Sequence, residues 1–488
     1  MTHRILFPRP FAFAVDDLGW NQGSNLSISS TPGPHRAGVK RDFDLRDYQY
    51  MIHVGKAVGA RIQCLFILSE MDRENILAKF PTTTHQREKW NNSIRINDEQ
   101  RVIMNYVRDQ SAYMEFGLHG TGHEYWAPGE PQKRAEWYNL IDKKPWPEES
   151  LREHLQCFKD IMTQYGLTRA NGHSFPESFV PCAYSYYWNP TGDYSLGKLL
   201  TEVGVKFANT DFSQIPELHP PADINGGDFD FGTHVINRVN YGNVWHELSS
   251  LPSVPLEKQE TDIIESHWPN WLAQDDFLQA SVTESWIQYY KNVQRKADRY
   301  IAKNTEQLHS QWLYKRYTKI SEAIPGVVEI DNRQMPAQAY RCNTLGNMVL
   351  KVKLNEGEHI SSASLGIASI PCYFEDEGYA FIYLPVLQKQ HYTLYYSVGT
   401  EEMDSYIYND GTYNVYYVER DPENFIANVK VYGTTVIRVR CHEPEKVSAG
   451  NTQLIIKDFT YHSSLQELEI VVQGVDMQGS RGDILIRF

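Results

Sequence analysis

The chain has 488 residues, 41% of them hydrophobic, and a formal net charge of −14. That length can bury at least one large core and supports two or three domains, while the acidic balance argues against a polyanionic partner such as DNA or RNA. No run of about 18 apolar residues occurs, so no membrane span is expected. Nor does the start combine an apolar h-region with a small-residue cleavage site, so the chain as it stands reads as cytoplasmic, or as exported if a signal has been removed. The six cysteines are scattered without a Cys-x-x-Cys and read as buried thiols.

Taken in order, residues 11–15 form a short apolar run ending at Asp16 and Asp17, which predicts a buried strand. Residues 19–38 are rich in Gly, Ser, Asn and Pro and read as a loop. Helical spacing recurs over 44–58 and 97–112, with a second apolar strand, 61–68, between them. A further strand, beginning near Glu115, carries His119 and His123. After a Pro/Trp/Lys-rich excursion (127–147), Ser150-Leu-Arg-Glu has the pattern of a capping box, and Gly166 ends the helix it opens. Strand-like segments at 178–187, 205–209, 233–239 and 261–266 then alternate with a helix at 195–203 and a loop at 213–232, and a long helical stretch covers about 283–322.

Strand–helix alternation of this kind predicts a parallel β/α architecture, and seven or eight strands in about 320 residues favour a barrel over an open dinucleotide-binding sheet. From about residue 325 the texture changes to alternating strands separated by turns, as in Met348–Leu354, Tyr379–Leu384 and Leu468–Val472. The expectation is therefore an α/β chain in two parts. Residues 1–324 form a distorted (β/α) barrel of about seven strands, and 325–488 form a β-sandwich region of one or two small domains.

The chemistry concentrates in two stretches, each an apolar run with polar residues at its end. Residues at strand C-termini of such folds point into the site. Asp16 and Asp17 leave their strand in different directions, so one carboxylate can bind a cation while the other faces water. His119 and His123 add two imidazoles. One carboxylate and two imidazoles leave open positions on a metal, as catalysis requires.

The pattern Asp16-Asp17 followed by Glu115-Phe-Gly-Leu-His119-Gly-Thr-Gly-His123 resembles the NodB-type polysaccharide deacetylases of carbohydrate esterase family 4. It departs at Gly120, where the family has Ser or Thr, and at Glu124, where it usually has proline. The resemblance implies a barrel over roughly residues 8–310. It implies that Asp17, His119 and His123 hold one divalent ion, zinc first, with cobalt, nickel or manganese as alternatives. It assigns Asp16 as general base toward the activated water and His267, in Asp262-Ile-Ile-Glu-Ser-His267-Trp268, as general acid. The family's third motif has an arginine that orients the base. Asn171-Gly-His173-Ser-Phe-Pro176-Glu177 has none, so His173 or Glu177 is expected to stand in. Trp20, Trp268 and Trp271 are expected at the substrate, and His246 is a further candidate.

The function this implies is metal-dependent removal of an N- or O-acetyl group from a carbohydrate. Two alternatives are a non-catalytic glycan-binding or scaffold protein on the same frame, and an amidase acting on small non-sugar amides. The C-terminal β region is expected to bind sugar, act as a spacer or mediate a homo-oligomer contact.

Overall fold

The computed structural model describes residues 3–23, 41–129, 134–189, 194–215 and 228–488. Most of the expected loop at 19–38 and parts of those at 127–147 and 213–232 lie outside the described residues.

The first half is built on a nine-stranded sheet. Its parallel strands are Arg9–Leu18, Ile62–Ile67, Met114–Gly120, Ser178–Phe179, Phe207–Thr210, Thr233–Asn237 and Ile263–His267, with Arg299–Ile301 pairing on the start of the first. The strand Asp228–Asp230 joins Thr233–Asn237 antiparallel, so the sheet is mixed.

The expected closed barrel is not what forms. Among the described residues strand outnumbers helix, 34% against 26%, and the sheet curls into a half-barrel. The reason is local. The strand that would close the ring, Thr233–Asn237, has one edge on Phe207–Thr210 and the other already taken by Asp228–Asp230. Among the described residues, a single bridge, Val239 to Ile264, reaches across to Ile263–His267.

The helices follow the periodicity closely. Leu45–Val58 starts at Asp44 and Asp98–Asp109 at Asn97, each with a reciprocal capping box. The third helix, Glu148–Gln164, instead starts after Pro147 with no side-chain cap, so Ser150 lies inside it and caps nothing. The long stretch at 283–322 resolves into Asp276–Gln294, the short strand Arg299–Ile301, Thr305–Tyr317 and a strand at Lys319–Ile324.

One face of the sheet packs under these helices: Phe11 and Phe13 meet Trp271, Trp286, Tyr289 and Tyr290. Residues of the opposite face, among them Ala14, Leu65, Val180 and Ile236, belong to a core that continues through Leu308 into Met348, Leu350 and Ile382 of the β region. Burial on both faces accounts for the near-continuous apolar strands.

The β region is two sandwiches sharing one eight-stranded sheet. A five-stranded sheet, which includes Val327–Asp331 and His391–Gly399, packs over one half of it. A four-stranded sheet, which includes Asn424–Val431 and Ser480–Arg487, packs over the other. The two halves of the chain interlock. Ile5–Leu6 pairs with Met348–Lys353 of the eight-stranded sheet, and a division at 324/325 falls inside the hairpin Lys319–Ile324/Val327–Asp331. Five cysteines are buried, Cys342 is partly so, and all six are free thiols.

Candidate metal centre

Two irregularities in the sheet aim the polar residues inward. The ladder between Arg9–Leu18 and Ile62–Ile67 slips between Val15 and Leu18, and the next ladder slips between Leu118 and Gly120. Bulges of this kind re-aim side chains beside active sites. Here they fall on Asp16, Asp17 and His119. Asp17 and His123 also hold positive φ angles of 72° and 70°, an uncommon conformation outside glycine that marks local strain.

Asp17 Oδ1 lies 3.5 Å from His119 Nε2 and 3.9 Å from His123 Nε2. That oxygen is buried and has no hydrogen-bond partner. The other nitrogen of His119, Nδ1, lies 2.8 Å from the Val180 carbonyl oxygen and donates to it. This arrangement fixes the tautomer and leaves Nε2 with its lone pair toward Asp17, as in a metal-ligating histidine. A buried, orphaned carboxylate oxygen beside an oriented imidazole fits a divalent cation, and nitrogen and carboxylate donors suit zinc and its first-row neighbours. Cys182 is a further nearby donor, grouped with His119 and His123. Its thiol points at the His119 carbonyl at 3.3 Å, and burial, with Glu136, Asp17 and Asp16 nearby, pushes its pKa well up. Asp17 is thus the better third donor.

Asp16 is 2% exposed and held in a fork by Arg238, with Nη1–Oδ1 at 2.8 Å and Nη2–Oδ2 at 2.6 Å. Burial alone would raise its pKa. The positive charge of Arg238, with His119 and His267 behind it, outweighs that and holds the carboxyl below its ordinary range. Arg238 follows the strand Thr233–Asn237 and also meets Glu265 Oε2 at 3.3 Å. Glu265 accepts from Tyr184 at 2.8 Å and from Asn240 at 3.2 Å. His267 stands directly across from Asp16 in the parallel register, its Nε2 4.0 Å from Glu265.

These residues line one cavity of about 240 Å3, whose remaining walls include Ala183, Tyr184, Asn243, Val244 and Trp245. Ala183 and Tyr184 both carry positive φ, 49° and 58°, so strained backbone forms the wall beside Arg238.

Asp16, Asp17, His119, His123 and His267, five of the residues singled out in the sequence, therefore converge. The others do not reach the cavity. Trp20 is 3% exposed and packs against His123, ring centroids 5.1 Å apart, without lining the cavity. Trp268 is buried against Phe43 and Tyr48, and Trp271 stacks on Trp286 at 3.8 Å, so both are core. His246 is exposed beside the cavity wall. His173 faces Asp476 and Met477 of the β region. Glu177 is bound by Lys206 and Lys430, whose charges offset its burial and hold its pKa down at about 2. Neither stands near Asp16, and the arginine that clamps Asp16 is Arg238 instead. Glu115, for its part, turns to the opposite end of the sheet, where it meets Arg61 and Thr305.

Arg238 and Glu265 carried a readable signal. Each is a charged residue at or beside the end of an apolar strand, and Glu265 shares a face with His267 by the two-residue period. Gly120 also has a physical cause: a Cβ there would lie 2.1 Å from Glu136 Oε2 and 2.8 Å from Cys182 Sγ.

No family model matches the chain, and no curated protein matches it. Among solved structures, a GH57-type branching enzyme from the hyperthermophilic archaeon Pyrococcus horikoshii aligns at 9% identity and a TM-score of 0.24, over 47% of this chain and 47% of that one. A gamma-CGTase from alkalophilic Bacillus clarkii aligns at 9% identity and a TM-score of 0.28, over 96% of this chain and 79% of that one. At such scores the chain courses differ, and neither likeness bears on fold or function.

Proposed function

We propose that the chain is a metal-dependent hydrolase that removes an N- or O-linked acetyl group from a carbohydrate. The observation that carries this reading is the buried Asp17 oxygen, without a hydrogen bond, facing His119 and His123 in the same cavity as the Arg238-clamped Asp16. Asp17, His119 and His123 would hold the ion, which when bound would lower the pKa of a water and polarise a carbonyl oxygen.

The remaining work falls to side chains. Asp16 is kept ionised, and its fixed carboxylate plane has lone pairs left to accept a proton from the attacking water. Water oxygen bonds to the acyl carbon as the bond from that carbon to the sugar nitrogen or oxygen breaks. His267, across the ladder from Asp16, donates the proton the leaving amine or alkoxide takes. Arg238 is paired with Asp16 and Glu265, and with Asp17 three carboxylates line the cavity, so it favours a neutral acyl group over an anionic substrate.

A small non-sugar amide is the second reading. It is favoured by a cavity of about 240 Å3, below the ~300–1,000 Å3 usual for small-molecule sites.

Elemental analysis of the purified protein tests the centre, with Asp17→Ala and His119→Ala as controls. The expected result is about one equivalent of a divalent metal, lost in both controls. No uptake after reconstitution would overturn the reading. Acetate release from acetylated sugars, set against release of acid from small amides, then chooses between the substrate classes.

A further inference from the structure

We infer that Glu136 is a positioning residue that sets the geometry of the turn joining His119 to His123, an inference that rests on reading those histidines as metal ligands. Glu136 is completely buried. The short antiparallel pairing of Glu124–Tyr125 with Arg134–Ala135 brings it against the turn. Its Oε1 accepts from the Thr121 N–H at 2.8 Å and lies 2.9 Å from His154 Nδ1. Its neighbour Trp137 donates from Nε1 to the His119 carbonyl at 2.9 Å. Residues 136 and 137 thus grip both sides of Gly120 at once.

His154, also completely buried, closes the frame. Its carbonyl accepts from the Thr121 hydroxyl at 2.8 Å, and its Nε2 lies 3.1 Å from Thr82 Oγ1. Tyr125 stacks on its ring at 5.4 Å and 9°. The other carboxylate oxygen of Glu136 occupies the space a side chain at position 120 would need.

A buried carboxylate is an expensive way to hold one backbone N–H and one imidazole. Its use here matches the outer partners that orient metal ligands. The turn it braces ends at His123, whose positive φ requires support from its surroundings. Glu136 touches none of Asp17, His119 and His123; its Oε2 meets the Cys182 thiol at 3.8 Å, and it acts on the two histidines through the backbone between them.

The test uses the full chain with Glu136→Ala and Glu136→Gln. Two readouts are taken: hydrogen exchange over residues 116–126 in metal-free protein, and cobalt(II) affinity with its d–d spectrum. Ala is expected to speed exchange at Thr121, shift the cobalt bands and weaken affinity by roughly 10- to 100-fold. Gln retains an oxygen for the Thr121 N–H and is expected to restore protection and most of the affinity. If Ala does not fold, Glu136→Asp, too short to reach Thr121, takes its place with the same expectation.

Unchanged exchange and affinity in a folded Ala or Asp variant would overturn the role of Glu136 alone. A wild type that takes up no cobalt would instead overturn the metal reading, and with it the affinity half of the inference. Unaltered Thr121 protection in the variants would remove the other half.

Discussion

Near the N-terminal ends of the parallel strands, Glu115 meets Arg61 at 3.0 Å and Thr305 at 2.7 Å, and Lys430 bridges Glu177 at 2.8 Å and Glu306 at 2.9 Å. At the C-terminal ends lie Asp16, Asp17, Arg238 and Glu265, all buried. In the first group Glu177 and Glu306 have partners on both carboxylate oxygens, Lys206 and Tyr416 completing what Lys430 begins, and Glu115 takes both Arg61 and Thr305 on Oε2. In the second, Asp17 Oδ1, Glu265 Oε2 and Arg238 Nε have no hydrogen bond. The difference separates two uses of buried charge. A network that satisfies itself fixes how the β region docks on the sheet. One that leaves oxygens open, at the sheet end where ligands bind, has room for something else.

The largest effect expected from this contrast is at Asp16. Asp16→Asn keeps the shape of the Arg238 contact but removes the base, and should lower kcat by about 10²–10⁴-fold while metal content stays at the wild-type level. Turnover near wild type would remove Asp16 from the mechanism.

The docking network should respond in the opposite sense, in stability and not in chemistry. Lys430→Met leaves Glu306 buried without its cation and Glu177, which is partly exposed, with Lys206 alone, a change of the kind that costs about 3–5 kcal/mol. Denaturant unfolding would register the loss, and metal content in the folded fraction should not change. Metal loss without destabilisation would mean that the two networks are coupled.

Acid should sharpen the same comparison. Glu177 is held at about 2 against an ordinary 4.5, so its contribution is present above 4.5 and is lost as pH falls toward 2. Lys430→Met removes a cation responsible for that depression. The stability gap between wild type and variant should therefore narrow as pH drops below about 4.5. A gap constant down to pH 3 would show that Lys430 does not hold Glu177 down.

The half of the site that strands carry was legible in the sequence. Asp16, Asp17, His119 and His267 all terminate apolar runs, and an apolar run with a polar end is visible one-dimensionally. Arg238 was harder, because its meaning depends on Asp16, 222 positions away. Its own segment reads only as a strand that happens to end in a cation. The barrel expectation failed for a related reason. Periodicity identifies strands one at a time, but whether a ring closes depends on which edge is free, and Asp228–Asp230 reads as loop in a Pro/Gly/Asp-rich stretch. Trp268 and Trp271 sit directly after His267 and read as substrate platforms by adjacency. In the fold, the turn at Trp268–Trp271 carries them back into the core.

The smallest effect concerns His173, which the family pattern would put at the reacting centre. Its Nδ1 is 3.9 Å from Asp476 and 3.5 Å from the Met477 N–H, a long contact on the far side from Asp16. Burial lowers its pKa, with Asp476 opposing and Arg108 reinforcing the shift, so near neutral pH it is uncharged and forms no ion pair. Glutamine at 173 can accept from the same N–H without introducing charge. His173→Gln should then change unfolding free energy by less than about 1 kcal/mol, the size of one net hydrogen bond, and leave kcat/KM unchanged. A residue orienting the base could not be replaced so cheaply. A fall in kcat of tenfold or more with stability intact would move the third element of the site back to residues 171–177 and away from Arg238.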